Sequence, residues 1–265
     1  MTSTAYGMNL RSLIRGGLLG AAVLAFAGCA AAPPAATPAP TVPSAPGAAA
    51  TAEAPLPGAI HWYRTAAEQR AVYQQVYAWA AERVTAAAQG VMEPWAVILD
   101  ADETVLDNST YQLRRARQGL GYTPESWNEW VREEAAPALP GAVAFIRGVR
   151  ALGGRVAIVT NRDEVVCAET RRNLQAVGVQ ADVVLCRQPG PSEKETRFRA
   201  VQEGTTPEGL PPLRVLAWVG DNIQDFPGGS QALRDADPAA LSDFGARFFV
   251  LPNPMYGSWE RNPER

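Results

Sequence analysis

The stretch AVILDADETVLDNSTYQ, Ala96 to Gln112, decides how the rest of the chain is read. Val97, Ile98 and Leu99 form an apolar run that reads as a buried strand. The run ends abruptly in Asp100, Asp102, Glu103 and then Asp107. Carboxylates so close together repel one another, and an apolar strand end is a costly place for charge. Something in the fold has to neutralise them.

Working outward, strand and helix signals alternate. Strands are expected at 96–101, 155–160 (RVAIVT), 182–186 (DVVLC), 214–219 (RVLAWV) and 247–251 (RFFVL), and helices near 140–152, 163–177 and 193–203. The strands are continuous apolar runs, which suits a parallel sheet covered by helices on both faces of an α/β fold. Residues 62–90 carry apolar positions at three- and four-residue spacing and read as one long helix stopped by Gly90. The segment 111–139 breaks the alternation. It holds Tyr111, Tyr122, Trp127 and Trp130 directly after the acidic cluster, and reads as a small inserted cap.

Ligands of open α/β sheets sit at the carboxyl ends of the strands. Three of those ends are polar here: DADET, then Thr160-Asn161-Arg162, then GDNIQD from Gly220 to Asp225. His61 is the only histidine, which excludes histidine phosphatases, Ser-His-Asp hydrolases and histidine-rich zinc sites. Neither Cys167 nor Cys186 has an arginine six residues on, and no Gly-x-Ser-x-Gly elbow or Walker loop is present. Oxygen chemistry remains. Asp100, Asp102, Asp221 and Asp225 are expected to converge at neighbouring strand ends, where a hard cation such as Mg²⁺ would relieve their repulsion. Lys194 is the single lysine among 24 basic residues, so an ammonium rather than a guanidinium is wanted there.

DxDxT, a strand ending in Thr-Asn, a lone lysine and GDxxxD, in that order, resemble the haloacid dehalogenase (HAD) superfamily and its Rossmann-like fold. DADETVLDNSTY, VTNR, VGDNIQDF and LPNPMYGSWE are similar to the class C bacterial acid phosphatases, lipoprotein 5′-nucleotidases of the outer membrane. The likeness runs from about Trp62 to Glu260; Ala101 stands where Leu or Ile is usual, a position that contributes mainly backbone. The resemblance implies Asp100 as nucleophile and Asp102 as the acid that protonates the leaving oxygen and later activates water. It implies Thr160 and Lys194 on the phosphoryl oxygens with Asn161 beside them. The metal would be held by the Asp100 carboxylate, the Asp102 backbone carbonyl and Asp221, with Asp225 in support. An aromatic from the insert, Trp127, and one from the C-terminal stretch, Tyr256, would face each other over a nucleoside monophosphate or related small phosphate ester. The alternatives are a broad acid phosphatase or phosphotransferase without nucleotide preference, and a surface-binding lipoprotein on a retired scaffold. The second should have lost one of the acids or the lysine, and all are present.

The N-terminus is read apart from the domain at 59–265. Arg11 and Arg15 precede the apolar run GLLGAAVLAFAGC, which is short for a membrane span and resembles a bacterial lipoprotein signal at 1–28, with Cys29 as the lipidated residue. The alternative is an ordinary secretory signal with Cys29 incidental. Residues 29–58 are nearly all Ala, Pro, Thr and Ser and read as an extended tether. Attachment to the bacterial envelope through lipid, at the outer membrane, is the expected location. Export permits a disulfide, but Cys167 and Cys186 read more simply as two small buried side chains. A net charge of −3 offers no basic face for a nucleic-acid polymer. RRAR at 114–117 and Arg171-Arg172 read as solvated faces. Self-association is left open.

Overall fold

The computed structural model describes residues 55–264. The signal, Cys29 and nearly all of the tether lie outside the described residues. The domain begins with helix α1 (Gly58–Thr65) and helix α2 (Ala67–Ala88), followed by strand β1 (Trp95–Leu99). Helices α3 (Ser109–Arg117), α4 (Pro124–Arg132) and α5 (Ala142–Ala151) lead to β2 (Arg155–Asp163) and α6 (Cys167–Ala176). Then come β3 (Val183–Arg187), α7 (Glu195–Glu203), β4 (Arg214–Gly220) and β5 (Phe248–Val250). The five strands are all parallel, in the order β3-β2-β1-β4-β5. The expected α/β sheet is therefore present, and the DADET strand is at its centre.

Every residue of β1 is buried, because helices cover both faces of the sheet. Val97 and Leu99 look toward α2 and α5, in a cluster with Tyr77, Val84, Phe145 and Val149. Ala96 and Ile98 look toward α7, in a second cluster with Phe198, Val201 and Phe226. This is why the strand reads as an unbroken apolar run rather than an alternating one.

The long helix expected at 62–90 is two helices. Ala66 is extended (ψ 131°) and separates α1 from α2. The break lets Tyr63 turn inward, where its hydroxyl meets that of Tyr73 at 2.8 Å, while Arg64 reaches Ser109 Oγ at 2.8 Å. Alanine has the highest helix propensity, so the sequence carries no local sign of the break. Tertiary packing supplies it.

Cys167 and Cys186 are bonded to each other, with Cα atoms 5.9 Å apart. The expectation of two unpaired buried side chains is corrected. The start of α6 packs on β3, and a separation of 19 residues in sequence carries no sign of that contact.

The excursion after β1 is closed at its neck. Asp107 N donates to Pro137 O at 2.9 Å and Leu139 N to Val105 O at 2.9 Å. Within it α4 starts on a local signal: Thr123 accepts from Ser126 N and Pro124 occupies the first helical position. Among the described residues no helix is long and apolar enough to cross a membrane.

Candidate active site

Asp100 follows β1 directly, and its N–H donates to Val219 O of β4 at 3.0 Å. The chain then turns tightly. Val105 N and Leu106 N both donate to Ala101 O, at 2.9 and 2.8 Å. Ala101 thus serves through its backbone, as expected of that position. Glu103 sits in the left-handed region (φ 50°) within this turn. Such a conformation costs a non-glycine residue on the order of 1 kcal/mol or more. The loop is held from behind by α2: Tyr73 Oη donates to Glu103 O and Tyr77 Oη to Thr104 O, both at 2.7 Å. Buried tyrosine hydroxyls seek acceptors, and here they find the carbonyls of the acidic loop.

Lys194 lies just ahead of α7 and is only 4% exposed. Its Nζ pairs with Asp100 Oδ1 and, at 2.7 Å, with Asp225 Oδ1. Carboxylate oxygens of Asp100, Asp221 and Asp225 all lie within 4.8 Å of one another. Asp221 follows β4; Asn253 Nδ2 donates to its Oδ2 at 2.8 Å and Thr104 Oγ1 contacts its Oδ1 at 3.4 Å. Asp225 caps its own turn by accepting from Asn222 N at 2.9 Å. A side chain at Gly220 would place its Cβ 2.3 Å from that of Asp225, so glycine is required for the approach.

Asp102 faces a different partner. Arg162 Nε and Asn108 Nδ2 donate to its Oδ1 at 2.8 and 2.9 Å. The two acids of DxDxT are therefore separated by surroundings: Asp100 is paired with an ammonium and Asp102 with a guanidinium. Lys194 and Arg162 thus carry part of the task of offsetting the acids that the sequence assigns to a hard cation. Arg162 is 1% exposed, at the end of a strand whose last residues alternate. Thr160 and Arg162 point inward and Asn161 outward.

Thr160 Oγ1 accepts from Arg162 N at 3.1 Å. Asn161 is exposed, and its Oδ1 accepts from Arg197 Nη2 at 2.6 Å. Arg197 also donates to Thr160 O and to Ser192 O, so it joins the Thr-Asn strand end to the lysine-bearing loop. Trp127 is half-buried, edge-on to Tyr111 with centroids 5.1 Å apart. The Arg162 guanidinium lies 5.9 Å from its ring centre. Tyr256 is half-buried and donates its hydroxyl to Glu103 Oε2. Tyr256 thus reaches the acidic loop directly, and Trp127 reaches it through Arg162. Sequence reasoning gave no role to Arg162, Asn108, Asn253 or Arg197. Single polar residues carry no spacing signal, though the polar end of β2 marked the neighbourhood of the first.

Burial holds the Asp221 carboxyl well above the usual carboxylate range, with Asp225 and Asp100 adding repulsion. Asp225 is pushed up to about 6, by burial first, against the pull of Lys194. Burial raises Glu103 as well, and Asp102 beside it adds to the effect. Asp102 is raised by burial, opposed by Arg162. Burial alone would lower Lys194, but Asp100 and Asp225 more than reverse this and keep it charged. The donor set is entirely hard oxygen, close enough for one ion to be shared by three carboxylates, and it fits a divalent cation.

Asp221, Asp225 and Glu103 bind protons more tightly folded than unfolded, where carboxylates titrate near about 4. Stability without a cation is then full below that point and is lost as pH rises through the folded values, about 6 for Asp225. The chelated protein should melt at a lower temperature at pH 7.5 than at pH 5. A divalent cation competes with those protons and should stabilise more at pH 7.5. Thermal melts at both pH values, with chelator and with Mg²⁺, check this; a chelated protein more stable at pH 7.5 would contradict it.

A model of the HAD superfamily, subfamily IIIB (acid phosphatase), matches residues 41–259. The class C acid phosphatase of Bacillus anthracis is 33% identical, with a TM-score of 0.69 over 76% of this chain and 85% of that one. A second structure of that enzyme, with tungstate bound, aligns with a TM-score of 0.68 and the same identity and coverage. Acid phosphatase 1 of Solanum lycopersicum is 28% identical over 60% of this chain and 57% of its own length. Vegetative storage protein 1 of Arabidopsis thaliana is 24% identical over 60% of this chain and 54% of its own. The chain thus spans little more than half the length of these two plant relatives. Phosphatases of this superfamily generally use a divalent metal. By the extent of these matches, and with the lysine and all four acids in place, the chain belongs to the acid phosphatases of HAD subfamily IIIB, enzymes that hydrolyse phosphomonoesters.

Proposed function

We propose that this protein is a Mg²⁺-dependent phosphomonoesterase that hydrolyses nucleoside monophosphates or related small phosphate esters through an aspartyl phosphate. One observation carries the reading: the two carboxylates of DxDxT have different cationic partners. Asp100 lies against Lys194 with Asp221 and Asp225 close by, while Asp102 is held separately by Arg162. Two acids in different surroundings can take different roles. The Bacillus anthracis enzyme has been solved with tungstate bound, and its binding of an oxyanion supports the reading of this chain as one that binds phosphate.

Asp100 would attack phosphorus as the bond to the leaving oxygen breaks, and that oxygen would take the proton of Asp102. Water would then attack the acyl phosphate, giving a proton back to Asp102 and restoring Asp100. Lys194 and Thr160 would hold phosphoryl oxygens, with Asn161 at the exposed edge. Asp100, Asp221 and the Asp102 carbonyl would hold Mg²⁺, with Asp225 in support. The ion supplies charge neutralisation for a transfer that depends on positioning more than on covalent chemistry. Release of phosphate from a panel of monophosphates, with Mg²⁺ and with chelator, tests the activity. No release from any monoester, or release indifferent to chelator, would overturn it.

The aromatic residues support the nucleotide preference. A site that recognises phosphate alone has no need of Trp127 and Tyr256 beside the acidic loop, and the excursion carrying Trp127 is well placed to act as a cap. Base stacking contributes on the order of 1–3 kcal/mol per aromatic. Trp127→Ala and Tyr256→Ala should each raise KM for nucleoside monophosphates roughly tenfold. Turnover of glycerol phosphate should change little. Equal losses on both substrates would favour a broad acid phosphatase.

We infer also that the domain is tethered to a bacterial envelope through Cys29. Cys29→Ser should release active protein from membranes and from detergent phases, and unchanged partitioning would exclude the anchor.

A further inference from the structure

The side chain of Asp102 is the near end of a chain of buried hydrogen bonds that runs to the excursion. Its Oδ1 accepts from Arg162 Nε and Asn108 Nδ2. Asn108 is fully buried, and its Oδ1 accepts from Arg162 Nη2 at 3.1 Å and from Trp130 Nε1 at 2.9 Å. Trp130 lies on α4 and is 3% exposed. The same helix carries Trp127, whose ring lies 5.9 Å from the Arg162 guanidinium, and Asn128, which donates to Asp163 at 3.2 Å. Helix α4 is thus tied to the end of β2 and, through Asn108 and Arg162, to one oxygen of Asp102.

This arrangement is expensive as packing. Arg162 is among the largest fully buried side chains, and its Nη1 is buried without a hydrogen-bond partner. An unmet buried donor costs on the order of 1–3 kcal/mol, more when charged. An apolar residue of similar volume would avoid that cost. A guanidinium is retained here because its fork fixes a carboxylate oxygen in direction as well as charge.

We propose that Arg162, Asn108 and Trp130 are positioning residues that aim the Asp102 carboxyl at the leaving oxygen, so that α4 of the excursion contributes to proton transfer as well as to substrate contact. This rests on the reading of Asp102 as the proton donor. In the first step the Asp100 carboxylate bonds to phosphorus, the phosphorus–oxygen ester bond breaks, its electron pair goes to the leaving oxygen, and the Asp102 proton joins it. A leaving oxygen that becomes a strongly basic alkoxide depends on that proton. A leaving oxygen that is stable as an anion does not.

The test compares glycerol phosphate with 4-nitrophenyl phosphate in holoenzyme carrying Trp130→Phe, Arg162→Lys or Arg162→Gln. The quantity read is kcat/KM, which reports the first chemical step and is blind to hydrolysis of the phosphoenzyme. A placed general acid contributes typically 10²–10⁴-fold. We expect Arg162→Gln to lower kcat/KM for glycerol phosphate about a hundredfold and for 4-nitrophenyl phosphate less than about fivefold. Trp130→Phe, which takes away the far hydrogen bond while keeping an aromatic ring, should show the same inequality at smaller amplitude, and Arg162→Lys should fall between. Should Arg162→Gln fail to fold, the other two variants read the same chain with its charge intact. Equal losses on both substrates, or no loss on either, would overturn the proposal. A wild-type protein that hydrolyses neither ester would instead overturn the phosphatase reading beneath it.

Discussion

Asp100→Asn should leave a folded protein whose phosphate release falls by about three decades or more, the scale set by removing a nucleophile that works in concert with its neighbours. The amide is nearly isosteric, so the loop and its contacts to Tyr73 and Tyr77 have no reason to move. Its oxygen can still accept from Lys194, which also retains Asp225 at 2.7 Å. What is lost is the negative charge that attacks phosphorus and helps hold the cation. Removing one of several crowded buried acids also relieves repulsion on Asp221 and Asp225. The chelated variant should therefore melt no lower than wild type. Activity and stability are expected to part company, which separates a catalytic role from a structural one. Retention of more than about a tenth of wild-type turnover would sink the assignment.

Lys194→Arg should lose at least a hundredfold in kcat/KM although it keeps the charge, equivalent to about 3 kcal/mol of transition-state stabilisation. The Lys194 ammonium is sealed, 4% exposed, between two carboxylates that belong to different strand ends. A guanidinium is larger, flat, and directs its donors into a plane. It cannot touch Asp100 and Asp225 from the same slot without displacing one of them. The chain uses arginine at every other Lys/Arg position, which marks Lys194 as the one place where an ammonium stands. An arginine variant within threefold of wild type would make that single lysine a coincidence of composition.

The contrast with Arg162 shows what the sequence could and could not carry. The strands were legible because β1 to β4 are buried along most of their length and so are written as apolar runs. The acids were legible because charge at the end of such a run demands a reason. Lys194 was legible through its rarity. Arg162 is one of many arginines, and only folding shows that it is buried against Asp102. Asn108 likewise has an ordinary place in NSTY, yet it joins Asp102, Arg162 and Trp130. The break at Ala66 was hidden because alanine favours the helix it interrupts, and Tyr63 prevails by turning into the core. The pairing of Cys167 with Cys186 depends on α6 lying against β3, a contact between elements that no local pattern states.

The covalent role of Asp100 is the centre of the account, and rapid quenching tests it directly. The wild-type holoenzyme, turning over a monoester labelled at phosphorus in Mg²⁺, is stopped in acid, digested, and the label located. Acid-stable, hydroxylamine-labile label on the peptide containing Asp100, absent in Asp100→Asn and in chelator, is the predicted result. Full turnover with no label on that peptide at any quench time, or label on another residue, would contradict it.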